Sequence, residues 1–136
     1  MTSHPPIPNA GSLDATDLGA SLTVAALDSS LAWYRDVLGF TVARTFDREG
    51  KMFAASLRAG AVAILLTQDD GARGPNRVKG DGMSLQITTA QNIDELAARV
   101  REHGGTIESG PADVMGARMF RLRDPDGFKF VFSAPR

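Results

Sequence analysis

One order of elements occurs twice along this chain, and that repetition limits the available folds more than any other feature. In the first half, Ser21–Ala26 (SLTVAA) alternates as a strand, with Leu22 and Val24 on one face. Asp28-Ser29-Ser30 offers N-cap side chains for a helix over Leu31–Leu38, and Gly39 is placed to end it. Three strand-like runs follow, Phe40–Phe46, Met52–Arg58 and Ala61–Thr67, with Glu49-Gly50 and Ala59-Gly60 between them. In the second half Ser84–Thr89 alternates again. Asn92 and Glu95 have capping-box spacing, and Ile93, Leu96, Ala97 and Val100 form one stripe of a helix over Ile93–His103. Gly104-Gly105 ends that helix, and Thr106–Glu108 is a short strand. The order strand, helix, three strands, given twice, predicts an α+β fold of two βαβββ modules.

The last two strands are the clearest. In Arg118–Ser133 (RMFRLRDPDGFKFVFS) two alternating runs flank Asp124-Pro125-Asp126-Gly127, where proline presets the first corner and glycine accepts a positive φ. Phe120 and Leu122, then Phe128, Phe130 and Phe132, define the side that packs on a helix. Between the halves, Gln68–Gly82 is rich in glycine and charge and is the natural linker. The expected organisation is a flexible N-terminal tail over 1–18 and a single domain over 19–136, with a first module at 19–70, a linker at 71–82 and a second module at 83–136. The linker cations Arg73, Arg77 and Lys79 are candidates for a role, since long loops often carry function.

The 136 residues suit one domain with its own core. There is no cysteine, which excludes disulfides, thiolate metal sites and cysteine nucleophiles. A net charge of −1 argues against broad binding to nucleic acid or an anionic membrane. No apolar run is long enough to span a bilayer, and no basic start precedes an apolar core, so a cytoplasmic location is expected. The two histidines, His4 and His103, lie in the tail and at a helix end, where solvation and the helix dipole account for them. No histidine is placed to activate a serine, and the linker lacks phosphate-loop spacing.

The segments Leu22–Phe40 (LTVAALDSSLAWYRDVLGF) and Gly116–Phe132 (GARMFRLRDPDGFKFVF) resemble the vicinal oxygen chelate superfamily of glyoxalases, bleomycin-resistance proteins and extradiol dioxygenases. Gln68-Asp69-Asp70 and Lys79-Gly80 are similar to its bleomycin-resistance-like branch. The resemblance implies that the two βαβββ modules form a curved mixed sheet with the ligand cavity inside, and that the protein is a homodimer. It also implies four metal-ligand positions, on the first and fourth strands of each half. Carried onto this chain they fall near Gly19 or Ser21, at Leu65 (Ile64 if the register slips), at Ser84 or Leu85, and at Val131, four residues after Gly127. None of these side chains suits a divalent cation, so no metal or other cofactor is expected.

Side-chain alternation assigns the strand faces opposite the helices to the cavity. The expected ligand-binding residues are Thr23, Met52, Leu65, Gln86, Met119, Arg121 and Val131, with Lys129 beside them. Apolar walls with a few polar anchors suit a small organic ligand. The sequence favours a metal-independent protein that holds an apolar or aromatic molecule. The alternatives are a lyase, isomerase or dioxygenase of the same superfamily acting without the usual ligands, or a subunit that binds a partner through a sheet edge.

Overall fold

Each βαβββ stretch closes into its own four-stranded sheet. A computed structural model, which describes residue 5 and residues 11–136, gives the first as β1 (Ala20–Val24), β2 (Thr41–Arg48), β3 (Lys51–Ala59) and β4 (Val62–Gln68), ordered β1-β4-β3-β2. The second repeats that order as β5-β8-β7-β6, from β5 (Leu85–Thr88), β6 (Ile107–Val114), β7 (Ala117–Arg123) and β8 (Lys129–Pro135). β1 pairs with β4, and β5 with β8, in parallel, while the remaining neighbours are antiparallel. A parallel pair needs a crossover. α1 (Leu27–Trp33) begins the first crossover and α2 (Ile93–Glu102) the second. The α+β fold and the doubled element order are thus as the sequence predicts. Half of the expected mobile tail over 1–18, including His4, lies outside the described residues.

Alternation decides what is buried. Leu22, Val24, Leu57, Ile64 and Leu66 from the first sheet meet Phe120, Leu122, Phe130 and Phe132 from the second in one core. Tyr34, Val37, Ala97 and Val100 from the helical segments fill the space between. Both sheets therefore bury the same side, and their other sides turn away from the core.

Three local expectations are corrected. The first helix begins at Leu27, not Leu31, and no side chain of Asp28-Ser29-Ser30 caps it. The cap comes from across the sheet: Gln68 Oε1 accepts the Leu27 N–H at 2.9 Å, and Gln68 Nε2 donates to the carbonyls of Ala25 and Asp69. The helix then widens into a π-helical turn over Tyr34–Leu38 before Gly39 stops it at φ 83°. β6 does not end at Glu108 but runs on to Val114. Gly110 lets it do so, because a Cβ there would lie 2.5 Å from the Met119 carbonyl oxygen on β7.

The two modules are tied together at Asp124. This side chain is buried, with 5% of its surface exposed. Its Oδ1 accepts the backbone N–H groups of Asp126 and Phe128 at 2.9 and 2.8 Å, which shapes the Asp-Pro-Asp-Gly turn. Its Oδ2 accepts the Tyr34 hydroxyl at 2.7 Å, from a fully buried ring that also meets Phe130 edge to face. Burial pushes the Tyr34 phenol far above its usual range, and the Asp124 carboxylate adds to the effect, so Tyr34 stays a donor. Tyr34→Phe leaves a buried carboxylate oxygen without its partner. A loss of about 1–3 kcal/mol in unfolding free energy is expected from urea titration; an unchanged midpoint would show that the bond contributes nothing.

Candidate ligand-binding faces

The site begins with the register of the strands. On the first sheet Ser21 pairs with Leu65, Leu65 with Ser56, and Ser56 with Arg44, which sets those four side chains in a row on the outer face. The next row is Thr23, Thr67, Ala54 and Phe46, with the two threonine hydroxyls 3.1 Å apart. On the second sheet Gln86, Val131, Arg121 and Ser109 form one row. Thr88, Ser133, Met119 and Ala112 form the next.

The expected site residues therefore divide. Thr23 and Leu65 share the first sheet's outer face, and Gln86, Met119, Arg121 and Val131 share the second's. Within one chain the two groups lie on different sheets. Met52 goes elsewhere. Between the Phe46–Ala54 and Asp47–Met52 pairs, β3 carries one extra residue. This bulge reverses the alternation, so Met52 packs against the core and Phe53 turns toward Phe46, with ring centroids 6.4 Å apart. Strict alternation in Met52–Arg58 gives no sign of the extra residue, which is why Phe53 was missed.

Three hollows adjoin these surfaces. One of about 480 Å³ lies over the second sheet, lined by Ser84, Gln86, Glu108, Arg121, Arg123, Lys129 and Val131 among others. A second, of about 740 Å³, runs between the edges of β1 and β5, where Leu22, Ile64, Phe128 and Phe130 meet Arg58 and Gln86. The third, about 540 Å³, lies under the linker beside Lys79, Arg77, Asp69 and Asp126.

The linker hollow is a structural joint. The Lys79 ammonium, 8% exposed, sits 3.1 Å from Asp69 and 3.0 Å from Asp126, and Asp126 also accepts the Ala25 N–H at 2.8 Å. Burial opposes the charge on Lys79, but hydrogen bonds and attraction from Asp126 and Asp69 outweigh it, so its pKa lies above the usual value. Arg77 reaches Asp69 at 3.8 Å. Two of the three linker cations are thus occupied in holding the loop against the Asp-Pro-Asp-Gly turn.

The residues at the superfamily's metal positions do not fit a metal. A divalent cation needs carboxylates or imidazoles converging from fixed elements. Ser21, Leu65 and Val131 offer a hydroxyl and two hydrocarbons, and Gln86 beside Val131 adds one amide. Among the described residues no three His, Cys, Asp or Glu side chains come together as a metal site would require. No helix among them is long and apolar enough to cross a membrane.

The Asp69 carboxyl lies below the usual carboxylate range, first because the Gly71 N–H donates to it and then because of Lys79. A carboxylate depressed in this way adds stability above its unfolded pKa of about 3.9, and that contribution is lost as pH falls through the folded value. Asp124 has the opposite sign, since burial raises its carboxyl against three donated hydrogen bonds. Its contribution declines as pH rises through the folded value. Asp69→Asn is expected to narrow the gap in urea midpoint between neutral pH and about pH 3. An equal gap in wild type and variant would remove Asp69 from the acid response.

Comparison with known proteins agrees with the fold. The model of the family described as Glyoxalase/Bleomycin resistance protein/Dioxygenase superfamily matches residues 15–132. The chain is 29% identical over 111 residues to a catechol-2,3-dioxygenase of Bacillus subtilis, covering 79% of this chain but only 37% of that protein. It is also 29% identical over 119 residues to a lactoylglutathione lyase of Salmonella typhimurium, covering 82% of this chain and 87% of the lyase. Among solved structures, an integron cassette protein of V. cholerae superposes with a TM-score of 0.70 at 25% identity, covering 90% of this chain and 98% of its own. TnmS3, an antibiotic binding protein from a Streptomyces species, superposes with a TM-score of 0.71 at 19% identity, covering 92% and 100%. That last likeness is one of fold.

Proposed function

Because the chain belongs to the glyoxalase/bleomycin resistance protein/dioxygenase superfamily, we propose that it is a small-molecule-binding protein that works without a metal. The ligand is an apolar or aromatic organic molecule held against the sheet faces. One observation carries this reading: the superfamily's ligand positions hold Ser21, Leu65, Ser84 or Leu85, and Val131, while the surrounding faces keep apolar walls and hydrogen-bonding side chains. Met119, Leu65 and Val131 supply the walls. Gln86, Thr23 and Arg121 supply the anchors. TnmS3, with the same fold, is an antibiotic binding protein.

A homodimer is part of the proposal. Each outer face is open in the single chain, and a second copy's sheet would cover it and exclude water. A cytoplasmic location goes with it. The second reading is a lyase, isomerase or dioxygenase that acts without the usual metal ligands; the 29% identity to enzymes of two such types favours keeping it.

Elemental analysis of tag-free protein separates the readings. The binding-protein account expects no stoichiometric divalent metal, and one equivalent of zinc, nickel, manganese or iron per chain would overturn it. Arg121 tests the anchor. A charge-assisted hydrogen bond in a partly apolar site contributes about 1.5–3 kcal/mol. Arg121→Met is therefore expected to weaken an acidic ligand by roughly tenfold to hundredfold by calorimetry. Val131→Trp fills the centre of the face and is expected to abolish binding. Normal affinity in both variants would remove the second sheet from the site.

A further inference from the structure

The second sheet's outer face carries more positive charge than its own residues neutralise. β7 and β8 pair Arg123 with Lys129 and Arg121 with Val131. Arg121 and Lys129 are therefore diagonal neighbours on one face, with Cα atoms about 7–8 Å apart. Arg123 is neutralised by Glu108, whose carboxylate lies 2.7 Å from the guanidinium. No carboxylate among the described residues pairs with Arg121 or Lys129. Both line the 480 Å³ hollow that Gln86 and Val131 share.

The arrangement is local. The whole chain has a net charge of −1, and the carboxylates that pair with arginine serve other ones, as Asp94 and Asp113 serve Arg118. The first sheet shows the same bias: Arg44 and Arg58 take up outer positions, Arg44 lying 4.8 Å over the Phe46 ring, and neither meets a carboxylate among the described residues. Like charges held close on one sheet face repel, and the repulsion grows when water is excluded. A ligand that brings matching negative charge relieves it. Two cations on neighbouring strands, offset along the sheet, suit two separate acid groups better than one.

Resting on the reading of this face as the ligand site, we propose that the ligand is a dicarboxylate built on an apolar or aromatic frame. Arg121 binds one carboxylate and Lys129 the other. Val131 and Met119 contact the frame.

The test uses one frame with zero, one and two charges: dimethyl isophthalate, monomethyl isophthalate and isophthalate. Each is titrated by calorimetry near neutral pH into wild type, Arg121→Gln, Lys129→Gln and, as a control on the exposed side of α2, Arg101→Gln. Amide NMR spectra confirm that each variant is folded. The expected result is a gain in affinity of about tenfold or more for each carboxylate in wild type. Each of the first two variants should lose one of those steps, and Arg101→Gln should lose none. Equal affinities across the series would overturn the dicarboxylate and leave the binding face standing. A steep series that both variants retain would assign the charge to other residues and also overturn it. Failure of all three compounds to bind would remove the face itself, and both proposals with it.

Discussion

Asp124 is the residue on which the two halves of this molecule depend. Its carboxylate holds the terminal turn with one oxygen and the first module's Tyr34 with the other. Buried carboxylates are costly unless they are hydrogen-bonded. Here two backbone amides and a phenol donate to the Asp124 carboxylate, and together they join the last turn to the first module. Asp126, on the same turn, then draws in Lys79 and the Ala25 amide. Linker, first helix entry and last hairpin meet at one polar knot beside an aromatic core.

That knot fixes what the sheets can do. With both helix-facing sides committed to one core, the outer faces are the sheet faces that the core leaves open. They are not leftover surface in composition. The first carries hydroxyls, an aromatic pair and arginines. The second carries an amide, two apolar side chains and cations that no carboxylate among the described residues pairs with. A metal enzyme of this fold would place carboxylates or imidazoles at the centre of such faces, and this chain places Leu65 and Val131 there.

Much of this was legible in the sequence, and the reasons for the rest are physical. Period-two alternation in Leu22–Val24 and Phe128–Phe132 reports the buried side directly, because a slip of one residue would expose every phenylalanine. Glycine helix stops and the Asp-Pro-Asp-Gly turn are local signals and were readable. Contacts between distant residues were not. Gln68 caps a helix some forty residues earlier, while the local Asp28-Ser29-Ser30 made a better-looking cap. Tyr34 reads as one more residue of a helical stripe, and only the fold sets its hydroxyl against Asp124. Bulges were the other blind spot. The extra residue in β3 moved Met52 off the expected face, and Gly110 carried β6 past its apparent end.

On the function proposed above, ligands meet the outer face of the second sheet and not the groove between the modules. Methyl-resolved NMR during titration with isophthalate measures this directly, since the two surfaces carry different reporters. Resonances of Met119 and Val131 are expected to move while those of Leu22 and Ile64 stay in place. Movement of Leu22 and Ile64, with Met119 and Val131 unchanged, would put the ligand between β1 and β5 and contradict the proposed site.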